Sequence, residues 1–144
     1  VSRTPLDKET VRRLLTDPEN IPEATRLFGF ELIDIDPEAG WAEAAFHARR
    51  EFLNPNGSVQ GGIVTGFLDE AMSVAAFVMA NMEARVPTLE MKTSFLRPLG
   101  EGRCTARGEV VRLGRSVAFT QGRLFDAEGA LCATATATAA VRRR

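Results

Sequence analysis

The sequence predicts an α+β domain in which an antiparallel sheet wraps around one long central helix, with short helices ahead of it. Three observations carry that expectation. Residues 63–82 are apolar on almost every face of a helix, the segments on either side alternate as strands do, and a late stretch alternates alanine with threonine. A helix apolar all round must be buried on most sides, and in a chain of 144 residues a sheet has to curl around it.

Each element follows in order. Thr4-Pro5-Leu6-Asp7 offers a capping residue, a proline at the first helical position and an acid three residues after the cap. With Leu6, Val11, Leu14 and Leu15 as its apolar stripe, a short helix should run to about Thr16. A second short helix follows Pro22 and stops at Gly29, a suitable glycine just past a helix end. Phe30–Asp36 sets Phe30, Leu32, Ile33 and Ile35 against Glu31, Asp34 and Asp36, roughly the period of a strand. The turn signal Pro37-Glu38-Ala39-Gly40 leads into a returning strand, Trp41–Arg49. Residues 50–62 are loop-like, and the buried helix covers Ile63–Met82. After Pro87 the strands Thr88–Leu96, Arg103–Leu113, Val117–Asp126 and Ala130–Val141 are separated by glycine-containing turns. In the last, Ala133, Ala135, Ala137 and Ala139 fall on one face, small enough for a helix to approach closely. The chain reads as one domain overall, with residues 1–29 as an N-terminal helical segment and 30–144 as the main body.

Composition narrows the function. Apolar residues make up 44% and charged residues 26%, ordinary for a globular protein. A net charge of −1 gives no global basic field, so no nucleic-acid partner is expected. Arginines concentrate late, at Arg97, Arg103, Arg107, Arg112, Arg115, Arg123 and the Arg142–Arg144 tail. They either serve a phosphate-bearing ligand or are solvated strand ends. Cys104 and Cys132 lie far apart with no Cys or His beside either, so no metal site is expected. The first ten residues contain no apolar secretory core, and the longest uncharged apolar run, Ala71–Met82, is too short to span a bilayer. A cytoplasmic protein with no membrane partner is expected.

Asp69 and Glu70 interrupt the most apolar segment of the chain. A carboxylate there is costly unless hydrogen-bonded or paired. Adjacent helical residues point about 100° apart, so the two should not line one pocket. Asp69 shares its face with Thr65, Met72 and Ser73, whereas Glu70 has no polar helical neighbour. Asp69 is therefore either a general base or nucleophile tuned by partial burial, or a structural acid at an interface. Upstream, Gly61-Gly62 stands where the loop becomes the helix. Backbone N–H groups at a helix N-terminus lack intrahelical acceptors, and glycines let a ligand oxygen approach them. Such donors would stabilise charge gathering on a thioester carbonyl. Asp69 follows Gly62 by seven residues, about 10 Å of rise, room for an acyl carbon in between.

Asn54-Pro55-Asn56-Gly57-Ser58-Val59-Gln60-Gly61-Gly62, followed by Leu68-Asp69-Glu70-Ala71, resembles the hotdog-fold acyl-CoA thioesterases of the PaaI-like type. Their usual pattern is Asn-Pro-x-Gly, then His-Gly-Gly, then Leu-x-Asp on the central helix. Thr88–Pro98, Gly114-Arg115-Ser116 and Asp126–Gly129 resemble the family's later strands and turns, so the likeness spans roughly residues 28–141. It implies that Asp69 is the catalytic acid, as nucleophile or as base toward water, and that Gly61 and Gly62 polarise the carbonyl. Asn54 would orient water or substrate, and Thr88 would bring a hydroxyl into the same pocket, usually from a neighbouring subunit. Arg115 and Ser116 would lie near the phosphates of CoA, which enters as part of the substrate; no cofactor or metal is implied. A homodimer or a dimer-of-dimers tetramer is implied as well.

Gln60 departs from the pattern, because it stands where the family has His and cannot titrate. The single histidine, His47, lies outside the motif and reads as structural. Three readings follow. The first is hydrolysis of an acyl-CoA, with an aromatic acyl group suggested by Phe52, Phe67, Phe77 and Phe95, against plain core packing of those rings. The second is a non-catalytic acyl-CoA or acyl-carrier binder in which Gln60 marks lost chemistry. The third is a structural or regulatory oligomeric domain.

Overall fold

The computed structural model describes residues 4–143; Val1–Arg3 and Arg144, the ends of the expected N-terminal segment and arginine tail, lie outside the described residues. Its elements run α1 (Lys8–Leu15), α2 (Glu23–Leu27), β1 (Glu31–Asp36), β2 (Trp41–Ala48), a 3-10 turn (Arg50–Phe52) and α3 (Gly61–Met79). Then follow β3 (Ala84–Arg85), β4 (Thr88–Phe95), β5 (Gly102–Leu113), β6 (Val117–Phe125), β7 (Leu131–Ala140) and β8 (Arg142–Arg143). Six strands form one antiparallel sheet in the order β1-β2-β5-β6-β7-β4, and β3 pairs with β8 in a separate two-stranded ribbon. The expected architecture of short helices, one central helix and a wrapping sheet is what the chain adopts.

Three boundaries differ from expectation for identifiable reasons. The first helix is capped by Asp7, not Thr4: the Asp7 carboxylate accepts from both Thr10 N (2.9 Å) and Thr10 Oγ1 (2.6 Å). The central helix starts two residues early because the Gln60 side chain caps it, accepting from Ile63 N at 3.2 Å. It stops at Met79 because Asn81 and Met82 both take left-handed backbone (φ 55° and 58°). The ribbon of β3 and β8 was not anticipated, since two-residue strands carry no readable period.

One face of the sheet closes on α3. Phe67, Leu68, Ala71, Met72, Ala75 and Val78 are buried against Ala44, Phe46, Cys104, Ala106, Leu124 and Ala133, among others. The alanines of β7 do line this face, but the tightest approach is to β5. A Cβ on Gly108 would stand 2.4 Å from Ala71 O and 2.6 Å from Met72 Cα. Phe67 and Phe46 stack, with centroids 4.9 Å apart, and Phe28, Phe30 and Phe52 meet them edge-on. Phe52 and Phe67 thus serve the core. By length and composition α3 is apolar enough to cross a membrane; here the sheet takes up its apolar residues. Strand β4 forms one edge of the sheet and lies beside α3, with Thr65 Oγ1 bonded to Thr93 Oγ1 at 3.0 Å.

Candidate active site

The loop before α3 is shaped by Asn54. Its Oδ1 accepts from Asn56 N (2.9 Å) and Ser58 N (3.2 Å), and Gly57 takes the left-handed conformation that closes the turn. With the carbonyl oxygen committed, the Asn54 amide offers only its NH2 group outward. Val59 N and Gln60 N are tied to Leu99 O and Phe52 O, which fixes the entry into the helix.

At the helix start, Ile63 N and Val64 N both bond to Gln60 O. Gly61 N and Gly62 N find no acceptor among the described residues, so they remain free donors at the positive end of a nineteen-residue helix. The Gln60 side chain folds over Gly62, where any Cβ would sit 2.7 Å from Gln60 Oε1. Gln60 therefore acts as a cap here, in a role that needs no titrating group. A groove of 330 Å³ is lined by Asn54, Ser58, Gly61, Phe95, Arg97 and Cys132, with other residues. Phe95 is 56% exposed, and its ring edge lies only 3.1 Å from where a Gly61 Cβ would be. Alone among the phenylalanines singled out in the sequence, it stands at the groove. The sequence put Phe95 forward for an aromatic acyl group and Arg97 among the arginines for a phosphate-bearing ligand, but nothing local shows that the end of β4 passes over the start of α3.

Two turns farther along α3, Asp69 is half-buried and accepts a 2.7 Å hydrogen bond from Thr88 Oγ1 at the start of β4. Donor and acceptor belong to the same chain. Asp69 Oδ2 has no bond to a described residue. The anticipated helical neighbour Thr65 bonds to Thr93 instead. Glu70 turns the other way: Thr25 Oγ1 of α2 donates to its Oε1 at 2.7 Å. Burial pushes the Glu70 carboxyl above its ordinary range; the Thr25 hydrogen bond opposes this and the nearby Asp69 charge adds to it.

The Asn54–Gly61 groove includes neither Asp69 nor Thr88. Strand β4 separates them, with Phe95 at the groove and Thr88 at the carboxylate. Arg115 and Ser116 occupy the exposed β5–β6 turn at the Thr88 end, since Val117 pairs with Ala140 and Ala139 pairs with Thr88. His47 is exposed on β2, its backbone N–H bonded to Phe28 O. Cys104 is buried, which pushes its thiol up to about 12. Among the described residues no cluster of His, Cys, Asp or Glu is arranged to hold a metal ion.

The family model of the thioesterase superfamily matches residues 56–133. A Saccharolobus solfataricus protein provisionally named an esterase is 31% identical over 118 residues, 81% of this chain and 84% of its own. A solved structure from Ralstonia eutropha JMP134 is described as a phenylacetic acid degradation-related protein and provisionally as a thioesterase. It shares 37% identity and a TM-score of 0.83, over 91% of this chain and 98% of that one. A mutant of the phenylacetic acid degradation protein PaaI from Thermus thermophilus matches at 27% identity and a TM-score of 0.71, covering 81% and 96% of the two chains.

Proposed function

This chain belongs to the thioesterase superfamily and has the hotdog fold, and from that premise we propose that it hydrolyses an acyl-CoA thioester to the free acid and CoA. The observation that carries the proposal is the Thr88–Asp69 pair. Thr88 spends its hydroxyl proton on Oδ1, which leaves Oδ2 to take a proton from water or to attack the carbonyl itself. As base, Asp69 delivers a water oxygen to the carbonyl carbon and the C–S bond breaks. As nucleophile it forms a mixed anhydride as the C–S bond breaks, and water then hydrolyses the anhydride to the free acid and restores the carboxylate. The thiolate leaves and takes up a proton. Gly61 N and Gly62 N supply donors for the oxygen that becomes negative, and the Asn54 NH2 supplies a third for water or substrate. Arg115 and Ser116 lie at the Thr88 end, where they suit the phosphates of CoA. No metal or redox cofactor enters the scheme.

The working unit we infer is a homodimer. Strand β4 is eight residues long and lies at the sheet edge, with Leu89 60% and Phe95 56% exposed. An open edge of that length invites pairing. If two β4 strands pair antiparallel about a twofold axis, the ends exchange places. The groove of Asn54 and Gly61 in one copy then faces Asp69 and Thr88 in the other, so that donors and carboxylate act on one thioester. Placing the acyl carbon between Gly62 and Asp69 of a single chain becomes unnecessary.

The test is free-thiol release from a panel of aliphatic and aromatic acyl-CoAs, comparing wild type with Asp69→Ala. Turnover that depends on Asp69 supports hydrolysis. Binding of CoA esters without turnover would replace it with the binder reading, and no binding at all would favour a structural role.

A further inference from the structure

We propose that Gln60 does more than cap the central helix: its amide NH2 donates to the substrate carbonyl oxygen held at Gly61 N and Gly62 N. The proposal rests on the thioesterase reading. The backbone of Gln60 fixes where its side chain starts. Gln60 N donates to Phe52 O at 2.8 Å, and Gln60 O accepts from Ile63 N (2.9 Å) and Val64 N (3.2 Å). Ile63 N also donates to Gln60 Oε1 at 3.2 Å, which fixes the way the amide faces. Turned over, it would set NH2 against an N–H, two donors with no acceptor between them. Nε2 therefore points away from Ile63, and it bonds to no described residue.

Capping alone does not call for glutamine. Helix N-caps favour Asn, Asp, Ser and Thr, whose short side chains reach the helix amides directly, and this chain uses Asp7 for α1. A glutamine must freeze an additional torsion to do the same. What the longer side chain adds is reach over the first turn. Oε1 lies 2.7 Å and Nε2 3.5 Å from where a Gly62 Cβ would stand. A Cβ there would push the amide aside, so glycine at 62 keeps Nε2 in place. Gly62 N is about 2.5 Å from that point by tetrahedral geometry, so Nε2 and Gly62 N are at most about 6 Å apart. One oxygen about 2.9 Å from each can bridge that span. Gly61, between the two residues, lines the Asn54 groove. A carbonyl oxygen at this rim meets Gly61 N, Gly62 N and Gln60 Nε2, none of which titrates. The charge that collects on the oxygen during attack strengthens each of these bonds.

Two substitutions separate the donor from the cap. Gln60→Glu keeps an oxygen for Ile63 N and removes the NH2, whereas Gln60→Met removes both without adding charge. Thiol release from an acyl-CoA and thermal melts are read together. Loss of the donor should lower kcat/KM by about 10–100-fold in both variants, mostly in kcat, while Tm falls only in Gln60→Met. Full activity in Gln60→Glu, or a loss confined to Gln60→Met, overturns the donor and leaves the cap alone. Calorimetry with a ketone analogue, in which a methylene separates the carbonyl from the CoA sulfur, gives a readout independent of turnover. Binding to Gln60→Met about threefold or more weaker than to wild type supports the donor even if wild type hydrolyses no thioester. Equal binding to the two, or none to wild type, sinks it.

Discussion

Thr88 and Asp69 are joined by a 2.7 Å hydrogen bond that ties the first residue of the edge strand to the ninth residue of the buried helix. The bond orients one carboxylate oxygen and leaves the other available to a reacting group. Asp69→Asn should therefore lower kcat by about 10²–10⁴-fold, the usual worth of a positioned base. Thr88→Ala should slow turnover by roughly 10–100-fold, the worth of a hydrogen bond to a charged group. Steady-state thiol release on matched folded samples measures both. Full activity in Asp69→Asn together with its loss in Glu70→Gln would show that the wrong acid has been assigned.

The contact of α3 with β5 is backbone against backbone. A methyl group on Gly108 would lie 2.4 Å from Ala71 O and 2.5 Å from Ala71 C, atoms that cannot rotate away. Gly108→Ala should cost about 1–3 kcal/mol, the usual range for overpacking, and lower Tm by several degrees. Gly100→Ala is the control, because nothing lies within 4 Å of its Cβ position and its backbone is not left-handed. Thermal melts that show equal Tm values for the two variants would contradict the packing described for the helix.

Much of this was legible beforehand, and what was missed has a common cause. The apolar run of α3, the alternation of β7 and the turns at Gly40 and Gly129 are local signals, and each element forms where they point. Asn54, Gly61, Gly62 and Asp69 were singled out through the resemblance of their motif, and the structure sets Asn54 and Gly61 at one groove with Asp69 outside it. What could not be read is where distant segments cross. Gly108, not an alanine of β7, takes the closest helix contact because the helix axis runs over β5. Thr25 reaches Glu70 across 45 positions, and Phe95 reaches Gly61 across 34, contacts that exist only once α2 and β4 lie along α3. The cap shows the same limit at short range: Thr4 has the right type, but Asp7 has the carboxylate that can hold both the amide and the hydroxyl of Thr10.

Glu70 makes stability depend on pH in a particular direction. Its carboxyl titrates above the ordinary value of 4.5 in the fold, chiefly through burial, so the folded chain holds that proton more tightly than the unfolded chain. The stabilisation gained by protonation is fully present below about pH 4.5 and is lost as pH rises through the raised folded value. Glu70→Gln stays neutral throughout and keeps an oxygen for the Thr25 hydroxyl. The gap in urea midpoint between the variant and wild type should widen in the variant's favour as pH increases from about 4 to 7. A gap that stays constant over this range would mean that Glu70 is as well solvated in the fold as in the unfolded chain.

A site shared between two copies makes a demand that a site within one chain does not. Let one inactive variant carry Asp69→Ala and a second carry Asn54→Ala with Gly62→Val, whose side chain would strike Gln60 Oε1 at the helix start. In a shared site, a mixed dimer has one centre with both defects and one with neither. Reassembly of equal amounts after reversible dissociation should make half the dimers mixed and restore about a quarter of wild-type activity. If donors and carboxylate came from the same chain, every centre would keep one defect and mixing would restore nothing. Thr93→Pro, near the middle of β4, should weaken assembly by removing an edge N–H, because the ladder that bonds Leu96 N to Cys132 O turns every second amide, that of Thr93 included, away from β7; size-exclusion chromatography with light scattering would register it. Restored activity in the mixture and its disappearance when Thr93→Pro is added to both partners would locate the contact at β4. Restoration that survives the proline would place the shared surface elsewhere on the molecule.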